Sequence, residues 1–244
     1  MAKAGASKMT ALVLSALLWA AGVSAQQVLG PKHQPIGAPK DYFDRGEGLK
    51  VRYEWDKAIL EYTSAIRADP SYSEAYYSRG VSYYAKSDYG KAIVDFSKAI
   101  ELGLKNATIY GYRALAHRKK KDYDLALDDY TEAIKLDPKN SRGYFERGST
   151  NISKNDLDAG IADFTEAIAL DPKYYDCYVA RAAAYLNKKD YDRAIADCTK
   201  AIGLAPARHQ PYTMRGDARQ AKGDTEGAKA DHEKAKALRQ AKHF

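Results

Sequence analysis

Residues 128–138 read DDYTEAIKLDP and residues 162–172 read ADFTEAIALDP, which sets Pro138 and Pro172 34 positions apart. The same step reaches Pro70, Leu104 and Pro206, and six registers of 34 tile residues 39–242. Tyr recurs at 42, 76, 110, 144, 178 and 212, and Arg follows three places later each time. The column after Arg is always small: Gly46, Gly80, Ala114, Gly148, Ala182 and Gly216. Two more small columns run through Ala58, Ala92, Ala126, Gly160, Ala194 and Ala228, and through Ala65, Ala99, Ala133, Ala167, Ala201 and Ala235. Within a register the apolar residues recur at spacings of three and four, as in Tyr123, Leu127, Tyr130 and Ile134. This predicts two amphipathic helices per register. Polar breaks such as Lys121-Asp122 and Lys189-Asp190 separate them, with Asp able to cap the second helix. Asp-Pro at 69–70, 137–138 and 171–172 ends the second helix, because proline disfavours helical geometry in the residue before it.

A small residue at the eighth place, Ala at the twentieth and twenty-seventh, an aromatic at the twenty-fourth and Pro at the thirty-second resemble the tetratricopeptide repeat (TPR). Tyr replaces the usual Trp at the fourth place and Arg the usual Leu at the seventh. The resemblance covers 39–242 and implies an all-α, right-handed α-solenoid of six helix-turn-helix repeats: 39–72, 73–106, 107–140, 141–174, 175–208 and 209–242. The small columns let neighbouring helices approach and bury a continuous core. The sixth repeat weakens, with His232 in the aromatic column and Arg239-Gln240 near its end, as a solvent-facing end should.

The 244 residues are 45% apolar and 29% charged, a globular balance. There are 20 Tyr against 5 Phe and 2 Trp, which suits a thin fold with many half-buried rings. Residues 1–25 differ. Lys3 and Lys8, the apolar run Ala11–Val23 and the small residues Val23-Ser24-Ala25 predict a secretory signal peptide cut after Ala25. The apolar run falls short of the roughly 20 residues of a spanning helix. A Gly/Pro/Gln-rich leader, 26–38, then precedes the repeats, and the expected location is periplasmic. Without Lys3 and Lys8 the formal charge falls from +7 to about +5. Part of the charge lies in the run His117–Lys121 and part in the tail Arg208–Lys242. Such runs can meet anionic lipid or cell-wall polymer; nucleic acid is not expected of an exported protein.

The Arg column (Arg45, Arg79, Arg113, Arg147, Arg181, Arg215) could hold phosphates or carboxylates. An acidic column matches it, however: Glu61, Asp95, Asp129, Asp163, Asp197 and Asp231. A ladder of structural ion pairs is therefore expected, within a repeat or across two. Cys177 and Cys198 could form one disulfide in an oxidising compartment, or stay two separately buried thiols. No His stands at metal-ligand spacing from them. No catalytic constellation or Gly-rich phosphate loop is present, so neither enzyme activity nor a cofactor is expected.

In TPR proteins the inner face of each first helix lines a concave groove. The resemblance places Phe43, Tyr77, Phe145 and Val179 in one row there, Val81 and Leu115 in a second, and Tyr84, Arg118, Ile152 and Leu186 in a third, flanked by Lys119 and Arg142. Such a groove would take an amphipathic or acidic peptide. The Lys and Asn clamp of chaperone-binding relatives is absent; the matching positions hold Phe43, Glu47 and Ser78. The expected function is a non-enzymatic scaffold of the cell envelope that binds a partner's peptide segment. The alternative is an anion-binding surface protein that uses its basic cluster and tail. The apolar leader segment Val28–Ile36 could itself lie in the groove.

Overall fold

The structure, a computed structural model, describes residues 37–241. The expected signal peptide and Val28–Ile36 lie outside the described residues. Within them the chain forms twelve helices and no strand. They are α1 (Pro39–Val51), α2 (Trp55–Ala68), α3 (Ser73–Ala85), α4 (Tyr89–Glu101), α5 (Ala107–Lys119), α6 (Tyr123–Leu136), α7 (Ser141–Ser153), α8 (Leu157–Leu170), α9 (Tyr175–Asn187), α10 (Tyr191–Leu204), α11 (Gln210–Lys222) and α12 (Thr225–Gln240). Two fall in each 34-residue register, in the α-solenoid that the columns imply.

Caps set the helix ends. Asp88, Asp156, Asp190 and Asp224 each accept a backbone N–H three residues on, at the start of α4, α8, α10 and α12. Asn106 does the same for the first helix α5, and Asn140 accepts the Arg142 N–H two residues on at the start of α7. Between the two helices of a repeat the chain turns through one left-handed residue, and this column was not read from the sequence. It runs Tyr53, Ser87, Lys121, Asn155 and Lys189, with φ of 59–67°, and only the sixth repeat places glycine there, Gly223 at 86°. The turn is held by paired backbone bonds, as where Lys121 N donates to Arg118 O and Asp122 N to His117 O. The side chains therefore accept conformational strain for a closed helix end.

The small columns let the helices touch. A Cβ added at Gly80 would stand 2.8 Å from the Phe96 ring, one at Gly148 2.9 Å from Phe164, and one at Gly46 2.5 Å from Tyr62. These rings and the two Ala columns make the buried core. Each first helix packs on its own second helix and each second helix on the next first helix. First helices of neighbouring repeats also meet, which puts them on the inside of the curve.

Between repeats run lysine-aspartate bridges spaced 30 residues: Lys86 to Asp56, Lys154 to Asp124, Lys188 to Asp158 and Lys222 to Asp192. The seam between the second and third repeats lacks this rung, since Gly90 replaces the aspartate and Lys120 turns to Asp122 at 3.3 Å. An apolar cluster of Ala92, Phe96, Ala99, Ile109 and Ala116 fills that seam instead.

Gly80→Ala is expected to lower stability by about 1–3 kcal/mol through overpacking. Gly111→Ala, whose new Cβ meets nothing within 4 Å, should raise it by about 0.5–1 kcal/mol. Urea denaturation of the two variants compares them directly. At the inter-helix turn, Lys121→Gly should raise the thermal midpoint and Gly223→Ala lower it, each by an effect of about 0.5–1 kcal/mol. Equal shifts in the same direction would show that the left-handed column carries no strain.

Candidate functional site

The arginine column is structural. Within each repeat Nε and Nη2 grip one carboxylate, as in Arg79 with Asp95 (2.8 and 2.8 Å) and Arg113 with Asp129 (2.8 and 2.6 Å). Arg147, Arg181 and Arg215 repeat this with Asp163, Asp197 and Asp231, and Arg45 pairs with Glu61. Nη1 then crosses to the preceding repeat, where it meets the hydroxyls of Thr63, Ser97, Thr131, Thr165 and Thr199 at 2.9–3.3 Å. The sequence had left open whether the ladder ran within or between repeats; it does both. The hydrogen bonds to aspartate hold Arg147, Arg181 and Arg215 above the ordinary guanidinium value. The tyrosine three residues earlier lies 4.5–6.0 Å from each guanidinium.

Cys177 and Cys198 are both buried, as free thiols. Burial pushes each thiol up to about 12, which leaves neither a nucleophile. Among the described residues no group of three or more His, Cys, Asp or Glu could hold a metal ion.

All twelve expected groove residues lie on first helices: Phe43 on α1, Tyr77, Val81 and Tyr84 on α3, Leu115, Arg118 and Lys119 on α5, Arg142, Phe145 and Ile152 on α7, and Val179 and Leu186 on α9. Val81 packs against the cluster of Ala92 and Phe96 and Leu115 against Ala114, Ala126 and Tyr130, and three more are likewise spent on packing. Val179 is buried among Tyr178, Ala201 and Met214, and Leu186 packs on Tyr185, Ala194 and Ala218. Ile152 fills the space that Gly160 leaves open. The rings stay half-buried in facing pairs. Phe43 stands 5.1 Å from Tyr72 and Phe145 5.2 Å from Tyr174; Tyr112 sits 6.0 Å from Tyr77 and 6.2 Å from Tyr84. Tyr72, Tyr112 and Tyr174 were missed. The 34-step holds a signal for Tyr72 and Tyr174, which share a column with Asn106 and Asn140 and so looked like turn residues. Tyr112 takes over one place later where Gly111 leaves the ring row empty.

Two polar clusters interrupt the rings. In the first repeat Glu47 accepts from Tyr62 at 2.8 Å and from Ser78 at 2.7 Å, and Lys50 stands 2.6 Å away. Burial works to push the Glu47 carboxyl up, but those three bonds outweigh it and hold it below the usual carboxylate range. In the third repeat the same columns read differently. Leu115 stands for Glu47, Arg118 for Lys50, Tyr130 for Tyr62 and Glu146 for Ser78. Arg118 donates to Glu146 at 2.7 Å, with Arg142 3.6 Å from the same carboxylate. Tyr130 is 2% exposed; its hydroxyl lies beside the Arg118 guanidinium, and its proton has no acceptor among the described residues.

Tetratricopeptide-repeat family models match residues 54–87, 73–103, 107–140, 141–174 and 164–196. The chain belongs to the tetratricopeptide repeat family. No curated protein matches it. Among solved TPR structures, MamA is 24% identical over 65% of this chain and 93% of its own, with a TM-score of 0.64. YrrB, described as a TPR protein with an unusual peptide-binding site, is 23% identical over 77% and 96%, with a TM-score of 0.65. The C-terminal part of a TPR repeat-containing protein from Cytophaga hutchinsonii is 21% identical over 80% and 78%, with a TM-score of 0.74. At these identities the likeness is one of fold.

Tyr62→Phe strips one of Glu47's three partners and should lower the thermal midpoint, whereas Tyr130→Phe removes a buried hydroxyl whose proton has no acceptor and should raise it. Melting the two single variants side by side gives the signs; a fall in both would place an internal partner on Tyr130.

Proposed function

We propose that the protein is a non-enzymatic interaction scaffold whose inner face binds a peptide segment of another protein. The observation that carries this reading is the row of ring pairs, Phe43 with Tyr72, Tyr77 and Tyr84 with Tyr112, and Phe145 with Tyr174, which packing leaves half-exposed along one face. Rings with this geometry offer large contact area at small conformational cost. Membership of the TPR family and the peptide-binding site in the description of YrrB support the same reading. Among the described residues no helix is long and apolar enough to cross a membrane.

The setting we propose is the cell envelope, reached by export after cleavage of residues 1–25. The alternative, an anionic surface bound by the basic run, draws less support. Arg118 is engaged by Glu146, and Lys120 and His117 face Asp122 at 3.3 and 3.6 Å. In the tail Arg215 and Arg219 hold Asp231, and Lys222 holds Asp192. These members of the run and the tail are held in ion pairs, whereas Lys119 and Lys121 are exposed.

A photo-crosslinker at Tyr84 should capture a discrete protein in the native host, while one at the exposed Lys135 on α6 should not; adducts at neither position or equally at both would overturn the groove. In the same cells the mature protein should begin at Gln26 by mass spectrometry, and an intact residue 1 would overturn export.

A further inference from the structure

Every hydrogen-bonding group in the Glu47 cluster has its counterpart, and 68 residues later the same arrangement lacks one member. In the first repeat Tyr62, Ser78 and Lys50 converge on the Glu47 carboxylate. In the third repeat the tyrosine and the cation are kept as Tyr130 and Arg118, but Leu115 occupies the column that supplied the acid. Glu146 stands where Ser78 stood and takes a single bond from Arg118, without reaching the Tyr130 hydroxyl. Arg118 uses one of its five N–H groups in that bond. The ladder arginines from Arg79 onward use three. An unpartnered hydroxyl inside a protein costs stability, so nature seldom leaves one without use.

The surroundings favour an anion. Arg118 and Arg142 set two cations against the one carboxylate of Glu146, and Arg142 is exposed. Beside the cluster Tyr84 and Tyr112 form an aromatic wall, and Gly111 leaves open space where the other repeats project a side chain.

We propose that the seam between the third and fourth repeats is a carboxylate subsite, in which Tyr130 and Arg118 bind an aspartate or glutamate side chain from within an extended peptide. The incoming carboxylate takes the place that Glu47 fills in the first repeat. Tyr84 and Tyr112 then receive the apolar residue next to it. This subsite rests on the groove being a peptide-binding surface, and it assigns the chemistry that the groove selects.

Two measurements test it. The first needs no ligand. Leu115→Glu restores an acid in the missing column, so its effect on the thermal midpoint should depend on Tyr130. In a double-mutant cycle it should fare better beside Tyr130 than beside the Tyr130→Phe substitution, by about 2–4 °C. A cycle with no coupling would overturn the geometry. The second pans a displayed library of nine-residue peptides, anchored at both ends so that no free C-terminal carboxylate is offered. Wild type should enrich sequences with Asp or Glu beside an aromatic or aliphatic residue. Tyr130→Phe, which keeps the fold, should still enrich peptides but bind the acidic ones about tenfold more weakly. Enrichment without an acidic position, or unchanged by Tyr130→Phe, would overturn the subsite and leave the groove standing. Failure to enrich any peptide above a Tyr84→Ala, Phe145→Ala double variant would remove the groove and the subsite together.

Discussion

One guanidinium per repeat does two jobs at once, and the solenoid depends on it. Two N–H groups lock the first helix to the carboxylate of its own second helix, and a third reaches the hydroxyl of the repeat before. Stability in a repeat array is a sum of terms within repeats and terms between neighbours. Here a single side chain enters both. Lysine could not take its place, because the task needs a planar fork with donors on two edges. The aspartates are almost fully buried, Asp95 at 3% and Asp231 at 4%, so losing one arginine would strand a charge at a cost of about 3–5 kcal/mol. The hydroxyl column answers in kind: Thr63, Thr131, Thr165 and Thr199 each donate to the carbonyl four residues back while accepting from the arginine.

Because that scaffold is so uniform, the repeats can be read against each other. Columns held by the ladder and by the small residues scarcely vary. Columns on the inner face do, and there the first repeat closes its own polar network while the third leaves one open. A difference between copies of one unit is informative, since each copy shows what the others would look like with their hydrogen bonds complete.

Much of the architecture was legible in the residues. The 34-step, the small columns and the Asp-Pro stops state the helices, their pairing and their order, because each reflects a local requirement: close approach, a cap, an end. The pairing of Arg with an acid sixteen places on was also readable, but not the third donor to Thr, as a hydroxyl carries no charge to give its role away. The left-handed turn was hidden because five of its six residues are not glycine. Groove membership was only partly legible. Ile152, Val179 and Leu186 share columns with exposed neighbours, and whether each faces out depends on what stands opposite, Gly160 in the case of Ile152. The orphaned hydroxyl of Tyr130 could not be seen at all without knowing which groups Glu146 reaches.

The missing rung at Gly90 makes one seam unlike its neighbours. Bridges such as Lys86 to Asp56 are largely exposed, worth at most about 1 kcal/mol, and screened by salt. The seam between the second and third repeats rests on apolar contact, which kosmotropic salts strengthen and cooling weakens. Raising salt therefore weakens an ionic rung that four seams have and this one lacks, so the joint between the second and third repeats is the one whose strength depends least on the screening of exposed charge.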